Sequence, residues 1–396
     1  MLKRFRGNLW RQWREMRRFN ALDFRKRAIV FYAEDAGSWV HFAPIIRELT
    51  GPMGREICYL TSSQDDPVLQ SAQPNIHAFY IGSGVVRTTL FMVLRAGVLV
   101  MTMPDLMAYQ VKRSKVHPVH YAYVFHSMCS THMIYRKGAF DHYDTIMCVG
   151  PHHTREIRAT EEAYGLPRKE LIEHGYSRLD SMCRKIDTFR AVSPADNRWK
   201  KHVLVAPSWG PHGLLETRGV ALIRFLLDAG YRVTVRPHPM TAKKWPMVIR
   251  EIRRHFEGKP GFCLETDIGS SLSLESADIM MSDWSGAAME YAFVFERPVL
   301  FVDVPRKVNN PDYLDIQWDP LEVSIRDQIG ELISLDKLED VSEKIERLCS
   351  DPDAFQDRIR DARSRSVYNV GTSGVVGASY VAQIADRVSK QKECAA

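Results

Sequence analysis

The sequence predicts an α/β protein made of two doubly wound, Rossmann-like domains. Three observations carry this. Short, continuously apolar, β-rich runs recur between stretches of helical spacing, the mark of parallel sheets covered on both faces. The pattern is interrupted by a polar connector at 186–200 and then restarts. A length of 396 residues suits about two domains.

Taken in order, AIVFYAE (28–34) is the first strand, and WVHFAPIIREL after Gly37 has helical spacing. Further strands are expected at EICYLTS (56–62), IHAFYIG (76–82), GVLVMT (97–102), HYAYVFH (120–126) and TIMCVG (145–150). After the connector DNRWKK (196–201) comes the strand and exit HVLVAPSW (202–209), then a helix over 213–230 that ends at a C-cap glycine. YRVTVRP, GFCLET, ADIMMSD (277–283) and RPVLFVDV (297–304) read as strands, with helices at WPMVIREIRRHFEG and GAAMEYAFVFE (286–296). The C-terminal stretch is helical, with a glycine-rich loop at NVGTSGVVG (369–377). The expected division is a basic helix over 1–27, an N-terminal domain over 28–190, a C-terminal domain over 196–365 and a terminal helix over 366–396.

The composition, 45% hydrophobic and 26% charged, supplies ample core and no disordered tract. Seven cysteines without a CxxC pair indicate neither a disulfide framework nor a zinc site, and fit a reducing cytoplasm. The net charge of +6 is local. Residues 1–27 hold ten basic groups against Glu15 and Asp23, a balance of +8, so the remainder carries −2 and does not suggest nucleic-acid binding. Leu2, Phe5, Leu9, Trp13 and Met16 fall on one helical face, with Arg4, Arg11, Arg14 and Arg18 away from it. Such a helix suits an anionic membrane surface, or packs on the protein's own body. It lacks the apolar core and cleavage site of a signal peptide. The run Leu90–Met103, broken by Arg95, is shorter than the ~20 residues of a membrane span.

In doubly wound sheets ligands sit beyond the carboxyl ends of the strands, so polar residues at the exits are the candidates, and with two domains the site is expected in the cleft they face. Ser282-Asp283-Trp284-Ser285-Gly286 leads from a strand into a helix; it is an anion site built on a helix start, or an ordinary N-cap. Glu290, a turn further on, could accept ribose hydroxyls or be solvated. In Arg236-Pro237-His238-Pro239 the prolines stiffen the exit and aim a guanidinium and an imidazole, which suits a diphosphate, although a strand terminator would look the same. Ser208, Trp209 and Gly210 form a third exit. In the first half His126 ends a β-rich run and could act as a general base, or be structural. His152, His153 and Thr154 follow the next strand. No DxD pair stands at a strand end, Asp351-Pro352-Asp353 reads as a helix cap, and P-loop and GxGxxG motifs are missing; a mechanism without metal or other cofactor is expected.

As an ordered set, VFHS (124–127), IEHGYSRLD (172–180), VAPSWG (205–210), VRPHP (235–239) and SDWSGAAMEYAFVFERPVLFVD (282–303) resemble the CDP-glycerol glycerophosphotransferase family of teichoic-acid and capsule synthesis. The resemblance implies a GT-B-like fold and a peripheral enzyme on the inner face of the cell membrane. It implies His126 as base and His238, with Arg236 near, at the donor diphosphate. It implies Ser282, Asp283, Ser285 and Gly286 around the phosphates, Glu290 on the nucleotide, and Ser208, Trp209 and Gly210 beside them. The implied partners are CDP-glycerol or a related donor, a lipid-linked or glycan acceptor, and an anionic membrane surface met by residues 1–20. The chain departs from the family pattern at Ser127, where glycine is usual, and lacks the Thr-Pro-Leu-Lys that commonly follows. Competing expectations are a GT-B glycosyltransferase, a sugar-nucleotide epimerase, or a non-catalytic module of a polysaccharide assembly complex.

Overall fold

The computed structural model describes residues 2–189, 198–267 and 272–394. The expected boundaries at 190 and 196 and most of the connector fall outside the described residues. The chain forms two compact units: one of Met1–Ser181, Asn310–Gln317 and Val367–Ala396, the other of Met182–Asn309 and Trp318–Ser366.

The first unit holds a seven-stranded parallel sheet: β1 (Ile29–Ala33), β2 (Ile57–Thr61), β3 (Ile76–Tyr80), β4 (Val98–Met101), β5 (His120–Val124), β6 (Thr145–Cys148) and β7 (Glu170–Glu173), in the order β3-β2-β1-β4-β5-β6-β7. Strands β1, β2, β4 and β6 are buried along their whole length, which is why they read as unbroken apolar runs. Ile29, Phe31, Val98, Val100 and Val124 pack with Phe42, Ile45 and Ile46 of the helix Trp39–Thr50. Burial of each such side chain contributes about 1.5–3 kcal/mol.

Two terminal helices complete this unit. The C-terminal helix, Ser373–Cys394, lies on Trp39–Thr50, and a Cβ added at Gly374 would stand 2.9 Å from Pro44. The glycine-rich stretch expected as a loop is thus helical from Ser373 onward. The reason is a cap from far away in the chain: Asp180 accepts the Gly371 and Ser373 backbone N–H groups at 2.7 and 2.9 Å, and the Ser373 hydroxyl. The N-terminal helix, Leu2–Ala21, packs on β3 and the helix Val85–Met92. Its inner face is Gln12, Glu15, Met16 and Phe19, rotated about the helix axis from the apolar face read from the sequence, with which it shares Met16, and Phe19 meets Phe79 edge-on at 5.6 Å. Leu9 and Trp10 are exposed. Gly82, at φ 63°, lets the helix approach, since a Cβ there would lie 2.4 Å from the Gln12 amide.

The second unit holds six parallel strands: β8 (His202–Val205), β9 (Arg232–Val235), β10 (Phe262–Leu264), β11 (Ile279–Ser282), β12 (Val299–Asp303) and β13 (Gly330–Ser334), in the order β10-β9-β8-β11-β12-β13. Val203, Val205, Val233, Val235, Ile279, Met281, Leu300 and Val302 pack with Leu222, Ile223 and Leu226 of the helix Leu214–Asp228. Strands β7 and β13 were not expected. Both are sheet edges whose partial exposure leaves no apolar run to read.

Candidate active site

In the second unit β8 lies between β9 and β11, with Val205 opposite both Val235 and Met281. Their exits are therefore neighbours. Asp283 organises them. Its buried carboxylate accepts the backbone N–H of Ser208 and of Trp284, each at 2.6 Å, and that of Leu214 at 3.4 Å. The Ser282 hydroxyl donates to the Ala206 carbonyl at 2.9 Å. Ser285 caps the helix Gly286–Phe295 through the Ala287 N–H at 3.3 Å, and Glu290 is half-buried on that helix. Beneath the loop, buried Arg326 lies 3.4 Å from the centre of the Trp284 ring and donates to the Asp283 carbonyl at 3.0 Å. Burial lowers its pKa to about 10.

At the β9 exit His238 begins the short helix Pro239–Lys244, its Nδ1 accepting the Met240 N–H at 3.1 Å. That bond places the neutral ring's proton on Nε2. Burial, then the nearby Lys307 ammonium, brings the pKa down to about 4. The ring is 6.0 Å from that of Trp209. Arg236 points to the β10 exit instead, where Nη1 meets Glu265 at 2.9 Å and Ser273 at 3.5 Å. Sequence reasoning missed Lys244, Lys307 and Glu216. Glu216 accepts the Thr241 hydroxyl at 2.9 Å, and burial raises its pKa. None of the three stands in a motif; the chain's path brings them to these exits.

In the first unit His126 follows β5. Its Nδ1 is 3.1 Å from the Thr102 carbonyl, so N–H donates there and Nε2 keeps its lone pair. The side chain reaches solvent, yet the protein around the ring disfavours its charge and lowers its pKa, the Thr102 bond and Asp35 opposing. Tyr176 donates to the His126 carbonyl at 3.0 Å. Buried His41 lies 6.4 Å from the His126 ring and 5.8 Å from the Tyr176 ring, its pKa far below the ordinary range through burial and then His126. His152 and His153 are braces, with Nε2 atoms 2.9 and 2.8 Å from the Met128 and Cys129 carbonyls. Ser127 turns the same loop by accepting the Cys129 N–H at 3.2 Å. The GYSRLD segment therefore does two jobs: Tyr176 holds the histidine loop and Asp180 holds the C-terminal helix. Among the described residues no group of three or more His, Cys, Asp or Glu side chains is placed to hold a metal ion.

Two parallel-sheet α/β units with polar strand exits define a GT-B-like fold. Solved structures agree on the fold. The chain is similar to UDP-GlcNAc 2-epimerase from Neisseria meningitidis bound to UDP-GlcNAc (14% identity, 89% of this chain and 99% of that one, TM-score 0.59). It is also similar to UDP-N-acetylglucosamine 2-epimerase from Rickettsia bellii (11% identity, 91% and 97%, TM-score 0.56). No curated protein matches the chain. Residues 53–355 match the family described as CDP-Glycerol:Poly(glycerophosphate) glycerophosphotransferase, and the chain belongs to that family of transferases.

Proposed function

We propose that the protein transfers a glycerol-phosphate, or related polyol-phosphate, unit from a CDP-activated donor to a hydroxyl of a lipid-linked or polysaccharide acceptor. Family membership over residues 53–355 is the observation that carries the reading. The second unit holds the donor, with Ser208, Trp209, Gly210, Ser285, Gly286 and Glu290 as its binding residues, while Ser282 and Asp283 shape the exits from within and Arg236 stands at the β10 exit, paired with Glu265. The free Nε2 lone pair of His126 takes the acceptor proton while the hydroxyl oxygen bonds to the β-phosphorus. The bond from that phosphorus to the bridging oxygen breaks, and CMP leaves with the electron pair. His238, neutral and with its proton on Nε2, donates a hydrogen bond to the charge that develops there. No step passes through a metal.

The setting is cell-envelope polymer synthesis, teichoic acid or capsule, at the inner face of the membrane. The exposed Leu9 and Trp10, beside Arg11, Arg14 and Arg17, support contact of the N-terminal helix with an anionic surface. No helix among the described residues is long and apolar enough to cross a membrane.

The test is a donor screen by mass spectrometry with a lipid-linked acceptor mimic. CMP release from CDP-glycerol with a glycerol-phosphate mass added to the acceptor is expected. Release of UDP from UDP-sugars in its place would move the protein to the glycosyltransferase class. Polymer synthesis that survives both His126→Ala and His238→Ala in cells would make it a non-catalytic module.

A further inference from the structure

Six histidines are buried among the described residues: His41, His132, His152, His153, His174 and His202. Five of them engage a protein group. His152 and His153 meet the Met128 and Cys129 carbonyls, His174 the Ser177 hydroxyl at 3.4 Å and His202 the Thr234 hydroxyl at 2.8 Å, and His132 lies 3.4 Å from the Glu156 carboxylate. His41 has no such partner. Its Nδ1 is unbonded and sealed from solvent, and its Nε2 is unbonded but not sealed. A sealed N–H left without an acceptor costs about 1–3 kcal/mol. The neutral ring therefore carries its proton on Nε2, where a partner can reach it.

The ring beside it is that of His126. The two meet edge to face, with centroids 6.4 Å apart. A ring nitrogen lies about 1.1 Å from its centroid, so the nitrogens come no closer than about 4 Å, too far for a direct hydrogen bond and within the roughly 5 Å that two bonds to one oxygen can span. The Thr102 carbonyl holds the His126 proton on Nδ1, so this ring offers a lone pair at Nε2. One histidine is thus a donor and the other an acceptor. The group that suits both at once is a hydroxyl, whose oxygen accepts from the first and whose proton goes to the second. Tyr176 steadies the pair: its ring is 5.8 Å from that of His41, and its hydroxyl donates to the His126 carbonyl at 3.0 Å. Both histidines belong to the first unit.

We propose that His41 is an acceptor-binding residue: its Nε2–H and the Nε2 lone pair of His126 hold a single alcohol oxygen between them. The assignment rests on the transferase reading for which alcohol this is. An alcohol oxygen has two lone pairs. His41 engages one and the proton lies toward His126, which leaves the other lone pair to bond to phosphorus. His41 keeps its own proton throughout, and only the hydroxyl proton moves, to His126. The contribution of His41 is orientation of the attacking group.

Nitrogen NMR of the full chain labelled with 15N-histidine tests it at slightly alkaline pH, with glycerol as the probe alcohol, alongside kinetics with the lipid-linked acceptor mimic. His41 is expected to carry its proton on Nε2 and His126 on Nδ1, and glycerol should move both Nε2 signals along one saturation curve. His41→Phe keeps a ring and removes both nitrogens. It is expected to weaken glycerol binding at His126 about tenfold and to lower kcat/KM for the acceptor about ten- to thirtyfold, with the donor KM changed less than about twofold and the melting temperature unaltered. His41→Gln restores an N–H donor and should recover kcat/KM to within about threefold of wild type. A His41 proton on Nδ1, glycerol that moves the His126 signal alone or neither signal, or an unchanged acceptor kcat/KM in His41→Phe would overturn the assignment. The first two readings come from the wild-type chain and stand even where a variant folds poorly. If both Nε2 signals respond to glycerol while the wild-type chain turns over no CDP-polyol, the hydroxyl site stands and the transferase reading fails. If the wild-type chain transfers and His41→Phe transfers equally well, the transferase reading stands and the role of His41 fails.

Discussion

The Asp283 carboxylate holds the backbone N–H of Ser208, 75 positions earlier in the chain, at 2.6 Å. A single buried anion thus ties together the exits of β8 and β11 and receives the first N–H of the helix Leu214–Asp228 as well. This makes its removal a stability matter before it is a matter of ligand binding. Asp283→Ala strands several buried donors, each costing about 1–3 kcal/mol. The variant is expected to lose about 2–4 kcal/mol of stability, read as a fall in denaturant midpoint, with Asp283→Asn losing less. An unchanged midpoint would show that the carboxylate is not needed to hold the exits.

His126 must be neutral to accept a proton, and its pKa lies below the ordinary 6.5. The pH profile of kcat/KM is therefore expected to be flat from neutrality down past 6.5 and to fall only at lower pH, as the ring takes a proton. His126→Ala should lower kcat by roughly 10²–10⁴-fold and abolish that acid limb. A mutant that retains the limb would transfer the role to another group.

Buried His174 has its pKa lowered from 6.5 to about 4 by burial. The unfolded chain binds a proton here near pH 6.5 and the folded chain does not until about pH 4. The stabilisation is complete above 6.5 and is lost as pH falls toward 4, for a total of about 3 kcal/mol. Thermal unfolding followed between pH 7 and 4 should show this decline, and His174→Gln should flatten it. A wild-type midpoint independent of pH over this range would contradict the burial argument.

Membrane contact of the N-terminal helix is best probed without deleting it, because Met16 and Phe19 belong to the core of the first unit. Leu9→Glu with Trp10→Glu changes exposed positions only. Binding to vesicles containing anionic lipid is expected to drop severalfold with no change in melting temperature. Undiminished binding would leave the helix a packing element alone.

Much of the fold was legible because doubly wound sheets bury their central strands on both sides. The apolar runs at β1, β4, β8 and β11 stand out for that reason, and the restart after the connector is their repetition. Edge strands β7 and β13 are half-exposed and carried no such run. In the N-terminal helix, long arginines and aromatics permit more than one plausible apolar face. Contact with β3 and with Gly82 selects the one centred on residues 12–19, and no local pattern encodes that choice.

The candidate site was legible where polar residues immediately follow a strand, as with His126, His238 and Asp283. Their roles were less legible than their positions. Asp283 is occupied with backbone donors and Arg236 with Glu265, pairings that depend on which strands become neighbours. Glu216, Lys244 and Lys307 were missed because each lies in a helix or loop, and only the sheet order brings it to an exit.

The clasp between Asp180 and Ser373 has a bearing on biogenesis. The helix Ser373–Cys394 packs beside Trp39–Thr50 and against β1 and β4, and Ala378, Val381 and Ile384 share their core, so the domain begun by the first strands stays open until synthesis has passed this helix. The intervening second unit, Met182–Asn309 and Trp318–Ser366, is fully synthesised earlier. During translation the half of the protein made first is finished last, and a message cut short after residue 366 would yield a first domain with an uncovered apolar flank, a substrate for chaperones and proteases rather than a smaller enzyme.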